Sequence, residues 1–423
     1  MPMTQAATDL DVDIDARLRD VLAVHFDPRW GTPYWLERRG KLGFDPRAEI
    51  ASLADLSRFG LMEPAELGRR PLEAFIPRSL LEQRDHLIVA QTGGTTGRPV
   101  WTAYLEDEFH AAFVEPFLVA AGHVGFPRGG AWLYVGPTGP HVIAKAARAI
   151  ARGCGCAMPF SVDFDARWAR RLAHGSFAAQ RYLGHVVEQA ICVIRSQPVT
   201  VLFTTPAVLR ALAEVMTPAQ RGRIHGVHYG GMAIAAEEME QFQTAVFPEA
   251  VHLAGYGNTL FGCCLELSVS PGRPLRYYPY GNRLVFGVVK GLENSPRRQP
   301  GVLDEAKVTT QTDQSSQNRQ SLSPDGLNRS VQAINRLDGP PLPGVGDGSR
   351  NYSIIGKPSP EIAEGRLVFT RLDRTMLLVN VLERDHVRLV RPPSDAPAGF
   401  SLRGVEAPSP VREARIGPAL GLY

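Results

Sequence analysis

The residues best suited to chemistry open in His86-Leu-Ile-Val-Ala-Gln-Thr-Gly-Gly-Thr-Thr-Gly-Arg-Pro99. Glycines at 93, 94 and 97 let the backbone turn tightly and approach a ligand with successive amide N–H groups exposed. The hydroxyls of Thr92, Thr95 and Thr96 add donors, so residues 92–97 have the makings of a polyphosphate cradle. The loop is not a Walker A motif, because no Gly-Lys-Ser/Thr follows at the required spacing. A plain Gly/Thr-rich turn between a strand and the next segment is the alternative. A glycine pair at Gly230-Gly231, followed by Met232, closes another apolar run and reads either as a ligand-facing turn or as a simple left-handed one.

These groups need elements to hold them. The run 87–90 has the length and flanks of a buried strand, and residues 131–135, 199–204 and 224–229 read the same way. Helical spacing covers 15–25, 105–122, a stretch after His141 and 235–246, the last with Glu237 and Glu238 at its positive end. Strand, glycine-rich turn and helix in succession make an α/β unit, whose ligand sites form at the C-terminal ends of its strands. Residues 274–289 read as a hairpin-like strand pair, and 365–372, 377–381 and 383–390 as further strands. Between them, 291–351 is polar and Pro/Gly-rich without either hydrophobic period, which predicts a flexible insertion.

Composition narrows the class. With 423 residues, 44% hydrophobic and 21% charged, the chain can bury a sizeable core and reads as a soluble protein of two or three subdomains. A net charge of +3 without a dense Lys/Arg block gives no argument for nucleic acid. No apolar run approaches the ~20 residues that span a bilayer, and the aspartate-rich start does not read as a signal peptide. Five cysteines without a Cys-x-x-Cys pair suggest reduced thiols in a cytoplasm and not a zinc site.

Thr-Gly-Gly-Thr-Thr-Gly-Arg-Pro99 resembles the phosphate loop of the AMP-forming adenylating superfamily, in its phenylacetate–CoA ligase-like branch, with Arg98 where lysine is usual. Gly255-Tyr-Gly-Asn-Thr259 is similar to that family's Tyr-Gly-x-Ser/Thr-Glu motif, except that Leu260 replaces the glutamate. Gly365-Arg-Leu-Val-Phe-Thr370 and Glu383-Arg-Asp385 resemble its later strands. The resemblance covers roughly 15–290 and 365–390. It implies a large adenylate-forming N-terminal domain of mixed sheets flanked by helices (1–390, with the insertion), and a vestigial or absent small C-terminal domain, 391–423 being a residual segment.

The resemblance also implies roles. ATP is held by Thr92, Gly93, Gly94, Thr95, Thr96, Gly97, Gly230, Gly231, Met232, Gly255, Tyr256, Gly257, Asn258, Thr259 and Asp385. The Tyr256 ring stacks on adenine and Asp385 accepts from both ribose hydroxyls, a geometry that suits a carboxylate. Thr95, Thr96, Thr259 and His141 assist the chemistry; Tyr134, His141 and Gly231 face the acid. For His141, a helix-terminal residue without a ligand is the alternative; for Asp385, an ordinary Arg/Asp pair at a strand end. With Leu260 in place of the glutamate, Mg²⁺ is left to ATP phosphates and water or to another carboxylate such as Glu266. The activity implied is ATP-dependent activation of a carboxylic acid, aromatic by resemblance, to an acyl adenylate. The acyl group then passes to CoA, to a thiol or carrier on a partner protein, as in the acyl-protein synthetases and arylcarboxylate reductase components that resemble this branch, or to a nitrogen nucleophile. A non-catalytic nucleotide-binding regulator is the reading from another class.

Overall fold

Runs rich in Val, Leu, Phe and Tyr become strands, since such side chains favour a pleated, half-buried surface. In chain order these are β1 (Ile88–Gln91), β2 (Trp101–Tyr104), β3 (Ala131–Val135), β4 (Phe160–Val162), β5 (Val199–Thr204), β6 (Gly226–Gly230), β7 (Val251–Asn258), β8 (Gly262–Leu265), β9 (Arg276–Tyr277), β10 (Leu284–Val289), β11 (Glu364–Leu372), β12 (Leu377–Val390) and β13 (Gly404–Pro410). The computed structural model describes residues 3–62, 64–93, 99–173, 175–231, 234–268, 273–290 and 363–410, with 3–13, 166 and 170 described by backbone alone. All of them fall in one of the chain's two compact units, Met1–Glu293 with Ser353–Tyr423. The insertion expected at 291–351 lies outside the described residues.

Among the described residues the strands form three sheets. β1 and β2 make an antiparallel ribbon. A six-stranded sheet runs β4-β3-β5-β6-β7-β8, parallel except for β8. Because side chains alternate across a strand, its two faces feed different cores. Leu133, Val135, Leu202, Val227, Tyr229 and Ala254 pack on one face with helices Phe177–Ser196 and Pro206–Val215. Trp132, Tyr134, Val201, Phe203 and Leu253 pack on the other with helices Glu115–Val124 and Val142–Gly153. Covering both faces explains why these strands read as nearly continuous apolar runs.

The second large sheet is antiparallel, in the order β10-β11-β12-β13-β9. This corrects the hairpin expected at 274–289: β9 and β10 lie at opposite edges, separated by three strands. Their closeness in sequence mimics a hairpin, but each finds its partner elsewhere, β9 on β13 and β10 on β11. β13 lies within 391–423, expected as a residual C-terminal segment, and its pairing with β12 and β9 makes 404–410 integral to this sheet. The helix expected over 105–122 is interrupted by a π-turn at His110–Val114 before Glu115–Val124. Pro116, at the start of that last segment, lacks an N–H for the α ladder, and the wider turn accommodates it.

The two large sheets are joined by an ion network on Asp373. Its buried carboxylate accepts from Arg283 (Nη2 2.5 Å, Nε 3.1 Å) and Arg371 (Nε 2.5 Å), with Arg17 at 3.4 Å. Burial alone would push this carboxyl up, but the charges of Arg283 and Arg371 hold it down at about 2. His25, on the N-terminal helix, bonds the Asp373 carbonyl at 2.9 Å. Removing one partner of a buried, hydrogen-bonded charge cluster strands the others, at a cost of about 3–5 kcal/mol. Asp373→Ala is therefore expected to lose stability of that order in denaturant unfolding at neutral pH; a loss under about 1 kcal/mol, the range of an exposed pair, would contradict the role of the network.

Candidate functional site

A cavity of about 780 Å³ opens where β6 and β7 end at their C-terminal edge and β12 faces them. Two residues on β7 reach across to two on β12. The Tyr256 hydroxyl donates to Asp385 Oδ2 at 2.8 Å, and Asn258 Nδ2 donates to Glu383 Oε1 at 2.7 Å. Each pair is spaced by two residues on its strand, so period-2 alternation puts both carboxylates on one side of β12. All four side chains line the cavity. Gly257 is obligatory in β7, since a Cβ there would sit 2.0 Å from the Gly262 carbonyl oxygen of β8. Gly231 adopts φ +80°, where glycine avoids the strain of a side chain, and turns the chain away from β6 along the cavity wall.

The turn after β7 is fixed from its buried side. Three successive carbonyls are taken by network donors: Thr259 O by the Tyr104 hydroxyl (2.7 Å), Leu260 O by Arg371 Nη1 (3.0 Å) and Phe261 O by Arg283 Nη1 (2.6 Å). The Arg371 guanidinium also lies 3.8 Å from the centroid of the Tyr104 ring, a cation–π contact. Asn258 Oδ1 accepts from the N–H groups of Leu260 (2.8 Å) and Phe261 (3.2 Å). Thr259 is thus held in the cavity lining by a turn whose polar groups are spoken for on the other side.

The cavity brings together Thr92, Gly93, Gly231, Gly255, Tyr256, Gly257, Asn258, Thr259 and Asp385. Thr92 closes the base of the glycine-rich loop, its N–H donating to Val100 O (2.9 Å) and its Oγ1 accepting from Val100 N (3.0 Å). Gly94, Thr95, Thr96, Gly97 and Met232 lie outside the described residues. Gly230 ends β6 but is not in the cavity lining. Tyr134 and His141 are not in it either. Tyr134 projects from the sheet face opposite to Tyr256, packs edge-on against Phe203 and donates its hydroxyl to Pro137 O at 2.8 Å. His141 is buried at the N-cap of helix Val142–Gly153.

Leu260 is buried in the core beneath the turn, so no acid stands at that position. Glu266 does not line the cavity; it lies beside Ala254, with burial pushing its carboxyl up to about 8. The sequence reading missed Glu383, Arg384 and Arg69, which line the cavity too. Glu383 was recoverable from its two-residue spacing to Asp385 on a strand. Burial first, and the Asp385 charge second, push the Glu383 carboxyl up to about 7.

No family model matches the chain, and no curated protein matches it. Solved structures do. The chain is similar to 2-hydroxyisobutyryl-CoA ligase in complex with 2-HIB-AMP and CoA in the thioesterification state, with a TM-score of 0.55 and 15% identity over 96% of this chain and 68% of that one. An open conformation of that ligase with the same two ligands gives a TM-score of 0.55 and 14% identity over 95% of this chain and 74% of that one. At such identity the likeness is one of fold: this chain has the mixed α/β architecture of an adenylate-forming large N-terminal domain.

The raised carboxyl of Glu383 has a pH consequence. Its folded value of about 7 exceeds the ordinary 4.5. The folded state therefore holds a proton that the unfolded state has released, and stability is present below the ordinary value and lost as pH rises through about 7. Wild type is expected to lose more melting temperature than Glu383→Gln between about pH 5 and about pH 8. Parallel profiles for the two proteins would contradict this assignment.

Proposed function

We propose that the cavity binds ATP and activates a carboxylic acid as its acyl adenylate, whose acyl group then passes to the CoA thiol with release of AMP. The observation that carries the reading is the Tyr256–Asp385 pair facing a cavity that starts at the Thr92–Gly93 loop base. A carboxylate with a free lone pair suits the ribose diol, and the adjacent tyrosine ring offers a flat apolar face for a base. The cavity volume lies in the range of small-molecule sites. The structurally similar 2-hydroxyisobutyryl-CoA ligase binds an acyl-AMP and CoA, which supports CoA as acceptor here.

In this reading the acid attacks the α-phosphorus of ATP and pyrophosphate leaves. Thr259, held rigid by its turn, donates to the α-phosphate as charge builds there, together with Thr95 and Thr96 of the loop. Donors fixed in advance stabilise developing charge without reorganising, and the site holds the two anions in reacting order. Magnesium would come with the triphosphate, an ion that takes few protein ligands and keeps phosphate and water oxygens. Held by those oxygens, the ion would supply charge neutralisation for the leaving pyrophosphate. The aromatic character of the acid, and a partner-protein thiol or a nitrogen nucleophile as acceptor, rest on the phenylacetate–CoA ligase resemblance alone. A second reading, a nucleotide-binding regulator, is favoured by Leu260, which puts an apolar side chain where the resembled motif has its glutamate.

Asp385→Ala tests the nucleotide reading. It is expected to weaken ATP binding at least about tenfold, since a charged hydrogen bond contributes ~1.5–3 kcal/mol. Wild type is expected to bind 2′-deoxy-ATP less tightly than ATP, and that difference should shrink in the variant. A folded variant that discriminates against 2′-deoxy-ATP as strongly as wild type would remove Asp385 from the ribose site.

A further inference from the structure

Among the described residues, four charged side chains line the cavity: Glu383, Asp385, Arg384 and Arg69. Three of them are committed to one another or to β7. Glu383 and Asp385 accept from Asn258 and Tyr256, and Arg384 Nε lies 3.6 Å from Asp385 Oδ1. Arg69 differs. Its side chain is 58% exposed, and its partner is Glu66, three residues back, which does not line the cavity. An exposed ion pair of this kind contributes little to stability.

The segment leading to Arg69 is placed by two contacts. Upstream, the Met62 N–H donates to Asn380 O at 3.0 Å and Met62 bridges to Val381, docking the segment on β12. Immediately before Arg69, the turn lies against the base of the glycine-rich loop: a Cβ on Gly68 would lie 3.4 Å from Val100 Cγ1. Val100 is the residue that pairs with Thr92 to close that loop. Arg69, next in the chain to Gly68, therefore lines the cavity on the side of the loop base, while Asp385 and Tyr256 mark the nucleoside end. A planar guanidinium is matched to phosphate oxygens, which it can engage with two parallel N–H donors.

We propose that Arg69 binds the terminal phosphates of the nucleotide, exchanging Glu66 for phosphate oxygens when a triphosphate enters. This rests on the nucleotide reading of the cavity and adds a cation to it from the N-terminal part of the chain. The substrate class it selects is a nucleoside triphosphate over a monophosphate, since a cation placed for the terminal phosphates gains nothing from a nucleotide that lacks them.

Calorimetric titration of ATP and AMP into wild type, Arg69→Gln and Glu66→Gln tests the assignment. In Arg69→Gln, ATP binding is expected to weaken at least about tenfold, the scale of a lost charge-assisted contact, with AMP changing less than about twofold. Glu66→Gln, which releases the guanidinium, is expected to bind ATP at least as tightly as wild type. Equal effects of Arg69→Gln on ATP and AMP, or none on either, would overturn the assignment while leaving the nucleotide site in place. Loss of ATP binding in Glu66→Gln as large as in Arg69→Gln would make the pair a structural pin and overturn it too. Wild type that binds neither nucleotide would sink the cavity reading along with this inference.

Discussion

Asp373 is the residue on which most of the site depends. A buried carboxylate is tolerated only when charge and hydrogen bonds surround it, and here the guanidiniums of Arg371 and Arg283 do so, with Arg17 at the edge. The same guanidiniums have donors left over, and these reach Thr102 Oγ1, the Ala103 carbonyl and the carbonyls of Leu260 and Phe261. One acid thus draws the N-terminal helix, β2, the turn after β7, β10 and the β11–β12 turn to a common point. The turn that carries Thr259 takes its shape from that point together with the Asn258 side chain.

What this anchoring gives the cavity is order before a ligand arrives. Asp385 and Glu383 are already aimed by Tyr256 and Asn258. Backbone groups of 258–261 are already paired, by Asn258 on one side and the network on the other. A site built this way spends little on ordering its own groups when it binds, which is the condition for fixed donors to act on developing charge.

Much of this was legible, unevenly. The parallel strands showed as apolar runs closed by glycine turns, because both faces of the six-stranded sheet are covered. Tyr256, Thr259 and Asp385 stood out by their motifs, and the structure gathers them into one cavity. Tyr134 and His141 matched by position in the chain, yet Tyr134 points from the other sheet face, a parity that depends on the register of β3, which composition does not reveal. The Asp373 network was invisible: Asp373 falls between the strands expected at 365–372 and 377–381, and nothing local tells that its carboxylate meets Arg283 and Arg17 in the interior. The false hairpin at 274–289 has the same origin, since strand partners far apart in sequence leave no local mark.

The central claim is that this cavity uses ATP to activate a carboxylate. Exchange of labelled pyrophosphate into ATP, measured across a panel of aromatic and short-chain carboxylic acids, addresses it without reference to the acyl acceptor. Exchange above background with at least one acid, and none when acid is omitted, is the expected result. ATP binding by the folded protein with no acid-dependent exchange for any acid in the panel would contradict the enzyme reading and leave a nucleotide-binding regulator.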